Sequence, residues 1–203
     1  MQRRGRRITS IYSDDEERVL VPSQRIRQRV LGPLAKLLPR LGISPDLLSF
    51  TSVALGLGFC LLAPISFPLA FWLLMASLLC DGLDGVEARA TGENTARGSF
   101  TDVFCDQMVV AFSVAGIAWK GLVHPALAIL FVFTYTAMVT FLVLHHLLQV
   151  SSRWIIRPSR LLLYAAIVLY FFFNINLLNA LLALYLLTLP LLVLSFWRLR
   201  NAL

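Results

Sequence analysis

The chain has 203 residues, 58% of them hydrophobic and 14% charged, with a mean hydropathy of +0.77 and a formal net charge of +7. That hydropathy argues against a soluble domain, and apolar stretches of about 20 residues recur, long enough to cross a bilayer core of about 30 Å. Three cysteines, Cys60, Cys80 and Cys105, are odd in number, lack C-x-x-C spacing and fall in apolar segments, so they exclude a disulfide framework and a zinc site and suit helix packing.

Residues 1–20, "MQRRGRRITSIYSDDEERVL", read as a mobile polar tail in which basic and acidic clusters nearly cancel. No cleavable signal peptide is visible, because the chain stays basic and polar for dozens of residues before any apolar run. Within 21–44, Ile26, Val30, Leu34 and Leu37/Leu38 recur at helical spacing, with Arg25, Arg29, Lys36 and Arg40 between them. This predicts an amphipathic helix in the membrane interface, broken near Gly32-Pro33.

Residues 45–203 read as an all-α, polytopic membrane domain of six spans. They run over about 46–63, ending at Pro64, then 66–90, 98–119, 124–149, 159–175 and 177–197. Ten of the 18 Lys and Arg residues precede residue 45. With the N-terminus in the cytoplasm, every Lys and Arg except Lys120 falls on the cytoplasmic side, as the positive-inside rule expects. The loops at 90–97 and 150–160 share that side. No aromatic-basic interleaving accompanies the basic N-terminus, so nucleic acid is not an expected partner.

All 11 acidic residues lie at or before Asp106. Asp81 and Asp84 are three apart near the end of the second span, and Asp102 and Asp106 are four apart at the start of the third. Each spacing places a pair on one helix face. A loop of Gly and small polar residues lets the two helices form a hairpin, so four carboxylates converge at the membrane surface. Bare, they would repel one another, and each is expensive within a span. Divalent cations resolve this, and oxygen ligands in this number suit Mg²⁺ or Mn²⁺. Two ions on shared carboxylates suit displacement at phosphorus. Gly85, Ala88 and Gly98 allow close approach of a helix or a flat ligand, and Arg89 offers a guanidinium to a phosphate.

The stretch "DGLDGVEARATGENTARGSFTDVFCD" matches D-x-x-D-G-x-x-A-R, eight residues, then G-x-x-x-D-x-x-x-D at every fixed position. This resembles the signature of the CDP-alcohol phosphotransferases, integral membrane enzymes of phospholipid synthesis with six spans and an N-terminal interfacial helix. "GISPDLLSFTS" resembles the segment that opens the family's first span. The resemblance implies that Asp81, Asp84, Asp102 and Asp106 hold two divalent metals. It implies that Asp106 is the general base on the acceptor hydroxyl, and that Gly85, Ala88, Arg89 and Gly98, with Asp46 and Ser49, bind the CDP moiety. The implied partners are a CDP-lipid donor such as CDP-diacylglycerol, a small polar alcohol and the bilayer. CMP is released, and the site faces the cytoplasm from the inner membrane. Family members are often dimers, so a homodimer is an expectation by analogy.

The acceptor is read from elsewhere. Arg153, Arg157 and Arg160 in "RWIIRPSR" make a cationic pocket for an acceptor that carries a phosphate, or else topogenic charge facing anionic lipid. "RPSRLLLY" resembles the Arg-Pro-x-Arg segment of the phosphatidylinositol-phosphate synthase branch. Gln107 stands where the phosphatidylglycerophosphate branch often has Lys. The acceptor therefore leans to inositol phosphate over glycerol 3-phosphate. Glu87 adds a fifth acid that the sequence leaves unassigned. His145 and His146 read either as acceptor-site lining or as residues packed between helices. The run "YFFFNINLL" reads as lipid-facing. A divalent-cation transporter is the alternative of another class; it explains the four aspartates but not the glycines, Ala88 and Arg89 in register.

Overall fold

The computed structural model of the protein describes residues 29, 31–35, 37–38, 42–91, 95–148, 150 and 160–202, with backbone alone for 88–91 and 96. The tail at 1–20, Arg153 and Arg157 lie outside the described residues. Those described form an all-α fold: α1 (Pro45–Leu62), α2 (Phe67–Thr91), α3 (Ala96–Trp119), α4 (Pro125–Leu147), α5 (Arg160–Phe173), α6 (Leu178–Tyr185), a 3₁₀ turn (Leu186–Thr188) and α7 (Leu189–Ala202). The starts follow local chemistry. The Leu47 amide donates to Ser44 Oγ at 3.3 Å ahead of α1, and the Gly98 amide donates to Thr95 Oγ1 at 3.1 Å ahead of α3. Pro45 and Pro125 occupy first turns, where a missing N–H costs nothing.

Among the described residues, five stretches are long and apolar enough to cross a membrane: Pro45–Leu62, Phe67–Glu87, Arg97–Trp119, Pro125–Leu147 and Leu178–Ala202. The fifth span expected from the sequence coincides with α5, an apolar helix with 14 described residues. The last crossing is interrupted. Pro190 has no N–H for the Leu186 carbonyl, which takes the Leu189 amide instead and tightens the chain into the 3₁₀ turn.

α1 is the strut of the assembly. It packs along both α2 and α3, whereas α2 and α3 touch each other far less. Small residues make the approach close. A Cβ on Gly116 of α3 would lie 3.0 Å from Cys60 Cα and 2.9 Å from the Phe59 ring. Against α2, a hydroxyl ladder ties the backbones: Ser77 Oγ donates to the Ser52 carbonyl and Ser52 Oγ to the Ser49 carbonyl, each at 2.7 Å. The main core surrounds this strut, with Phe59, Phe71, Leu74, Val114, Ile117 and Ile167 almost fully buried.

A second, smaller core forms where Ala35 and Leu38 pack on Leu48, Leu83 and Val86, beside Leu31 and Ile43. Residues 31–35, Gly32 and Pro33 among them, are helical, and residues 30 and 36 lie outside the described residues. Packing against α1 and α2 outweighs the poor local propensity. The aromatic run is not wholly lipid-facing. Phe171 stacks on Phe71 with centroids 3.8 Å apart, and Tyr170 meets Phe67 edge-on at 5.4 Å, while Phe172 and Phe173 are exposed. At the end of the bundle away from the aspartates, Asn176 Nδ2 donates to the Leu122 carbonyl and the His124 amide donates to Asn179 Oδ1, each at 2.9 Å. These bonds join the two turns at that end.

Candidate active site

The site lies where α2 ends, α3 begins and α5 begins. Oxygens of Asp81, Asp102 and Asp106 lie within 4.8 Å of one another. Ligand oxygens around one octahedral Mg²⁺ sit about 3–4 Å apart, so small rotations bring these three onto one ion. The donors are hard carboxylates from two different helices, and among the described residues no His shares the cluster. The residues present therefore fit a divalent cation bound by oxygen.

The fourth aspartate stands apart. Asp84 is buried, accepting Ser49 Oγ on Oδ2 and the Gly85 amide on Oδ1, each at 2.5 Å. It remains within electrostatic reach of Asp102 and Asp81. Ser49, expected beside the nucleotide, thus spends its hydroxyl on a carboxylate. Asp46 is exposed in the first turn of α1. Gly85 and Gly98 are half-buried next to the aspartates. Ala88 and Arg89 continue α2, and only their backbone is described.

Arg160 is the first residue of α5. Its Nη1 and Nη2 donate to Asp81 Oδ1 and Oδ2 at 3.1 and 2.7 Å, a bidentate pair. Nη1 also forms an ion pair with Asp106 Oδ1. The side chains of Arg160, Asp81 and Asp106 are 17%, 10% and 5% exposed. One guanidinium thus holds carboxylates from α2 and α3 together. Expected from sequence as part of an acceptor pocket, Arg160 reaches the carboxylates themselves.

Other polar groups find structural places. His145 is fully buried, with Nε2 3.0 Å from Ser195 Oγ and Nδ1 3.4 Å from the Val150 carbonyl. That joins α4 to α7 and matches a residue packed between helices. Glu87 is also buried, on α2. His124 caps α4 through Nδ1, 3.3 Å from the Ala126 amide. The cysteines are free, as packing residues would be. The sequence alone does not mark Ser77 and Ser195, and Ser52 is marked only by lying three residues from Ser49 on one helix face.

Comparison with known proteins bears on this arrangement. The sequence model of the CDP-alcohol phosphatidyltransferase family matches residues 42–196. A phosphatidylinositol phosphate synthase of Mycobacteroides abscessus is 30% identical over 151 residues, covering 68% of this chain and 67% of the relative. An archaetidylinositol phosphate synthase of Pyrococcus horikoshii is 37% identical over 108 residues, covering 49% of this chain and 55% of the relative. A phosphatidylinositol phosphate synthase of Cutibacterium acnes is 32% identical over 95 residues, covering 44% of each chain. No solved structure gives a significant match.

Proposed function

Because the chain belongs to the CDP-alcohol phosphatidyltransferase family, we propose that it moves a phosphatidyl group from a CDP-lipid such as CDP-diacylglycerol to inositol phosphate, releasing CMP. The observation that carries this reading is the convergence of Asp81, Asp102 and Asp106 among apolar helices. Three acids in that setting are expensive unless they serve a cation and a charged substrate. The names of the three relatives support the acceptor, since each contains inositol phosphate. Arg160 at the same point supports an acceptor that carries its own negative charge.

Asp81, Asp102 and Asp106, with Asp84 beside them, would hold Mg²⁺ or Mn²⁺, as two ions. When bound, the ions would neutralise charge on the pyrophosphate and on the leaving CMP. Gly85, Ala88, Arg89, Gly98 and Asp46 would bind the CDP moiety, and Ser49 holds Asp84. The acceptor hydroxyl attacks the β-phosphorus, the one esterified to the lipid alcohol. A new O–P bond forms, the bond from that phosphorus to the bridging oxygen breaks, and CMP leaves with the electron pair. Asp106 takes the hydroxyl proton as general base. The cation asymmetry of the loops supports a site that opens to the cytoplasm.

The test is direct. Purified protein is incubated with CDP-diacylglycerol, Mg²⁺ and, in turn, inositol phosphate, glycerol 3-phosphate, inositol and serine, with CMP release and lipid mass recorded. CMP release with inositol phosphate alone establishes the acceptor. Release with glycerol 3-phosphate alone replaces that acceptor, and no release above an Asp106→Ala control refutes the reading.

A further inference from the structure

Arg160 and a divalent cation have claims on the same atoms. The guanidinium takes both oxygens of Asp81 and pairs with Asp106 Oδ1. Asp81 and Asp106, with Asp102, are also the carboxylates that approach within 4.8 Å of one another. A guanidinium and a divalent ion sharing these oxygens would be like charges in contact, in a place where little water screens them. A guanidinium has five donors and no acceptor, so once displaced it needs another anion.

We propose that Arg160 is an exchangeable counter-ion, which pairs with Asp81 and Asp106 until a divalent cation takes those oxygens and then turns to the phosphate of the acceptor. This rests on the transferase reading and deepens it, because it fixes an order and a coupling. The cation enters first, and its arrival frees the group that recognises the second substrate. A place one turn from the buried Leu163 suits such a role, because only the side chain needs to swing while the helix stays packed through Leu163 and Ile167. By linkage the effect is mutual: an oxyanion that draws Arg160 away must tighten cation binding by the factor through which the cation tightens the oxyanion.

The experiment reads Mn²⁺ binding, not turnover. Free Mn²⁺ is followed by its paramagnetic resonance signal in purified protein, at fixed ionic strength, with and without inorganic phosphate. Wild type is compared with Arg160→Ala, Arg160→Lys and Asp81→Asn, each first checked by size-exclusion profile. Arg160→Ala is expected to bind Mn²⁺ about tenfold more tightly, and phosphate to tighten wild-type binding about fivefold or more. Arg160→Ala loses the phosphate dependence. Arg160→Lys keeps the charge without the fork and falls between. If wild type and Arg160→Ala bind Mn²⁺ equally, or if phosphate acts the same on both, the exchange is refuted while the metal site stands. If no variant binds Mn²⁺ and Asp81→Asn changes nothing, the metal-dependent reading falls as well.

Discussion

Gly116→Ala tests whether α1 sets the spacing of the carboxylates. The new Cβ would lie 2.9 Å from Phe59 Cε1, 3.1 Å from Phe59 Cδ1 and 3.0 Å from Cys60 Cα. Carbon atoms in good contact sit about 3.5–4.0 Å apart, so the shortfall is about half an ångström. Phe59 cannot yield easily, being fully buried and edge-on to Phe67 at 6.3 Å. Cys60 Cα is main chain and yields only if α1 and α3 part. Such overpacking costs about 1–3 kcal/mol. Part is offset, since Ala is favoured over Gly in a helix by about 1 kcal/mol. Gly56→Ala supplies the control, because its Cβ would meet Val109 Cγ2 at 3.5 Å, an ordinary contact. It keeps the propensity gain without the clash. The two variants should therefore differ by about 2 kcal/mol, or about 4–8 °C in apparent Tm measured by fluorescence in detergent. Asp102 and Asp106 ride on α3, so Gly116→Ala should also lose CMP release on the order of tenfold. Equal Tm and equal activity in the two variants would refute the view that this contact fixes α3 against α1.

Asp81→Asn and Asp106→Asn should each abolish CMP release while retaining a folded size-exclusion profile, and an active Asp81→Asn would sink the cluster as the reaction centre. Removal of divalent ions with a chelator should stop turnover, and Mg²⁺ or Mn²⁺ should restore it; turnover that persists in chelator would exclude metal dependence. Ser49→Ala removes a buried hydrogen bond to a carboxylate, a contact of about 1.5–3 kcal/mol, and should lower CMP release and raise the Mg²⁺ needed for half-maximal rate. Unchanged Mg²⁺ dependence would show that Asp84 does not rely on Ser49. His145→Ala and Ser195→Ala should each lower Tm, the double variant less than their sum because they share one bond. Strict additivity would deny the coupling.

The membrane class was plain in the sequence, because long apolar runs can be nothing but buried in lipid or in protein. The carboxylate cluster was plain too, since spacings of three and four fix a helix face whatever the surroundings. What the sequence hid depends on how helices rotate against one another. Nothing near Ser49 says that its hydroxyl meets Asp84, 35 positions away. That contact needs α1 seated on α2 through the serine ladder. Arg160 reads as part of an acceptor pocket, and its reach to Asp81 depends on how α5 is seated beside α2. The aromatic run held Phe171 and Phe172 side by side, and only the packing of α5 on α2 separates the stacked ring from the exposed one.

The seat of the carboxylates at the ends of α2 and α3 has a consequence for the lipid around it. Phe100 and Phe104, which bracket Asp102 on α3, and Leu161 and Leu162, next to Arg160 on α5, are exposed. Apolar side chains left open at that level would face acyl chains. A lipid would bring its phosphates level with the carboxylates without leaving the leaflet, so the membrane itself would deliver the donor to the depth at which it reacts.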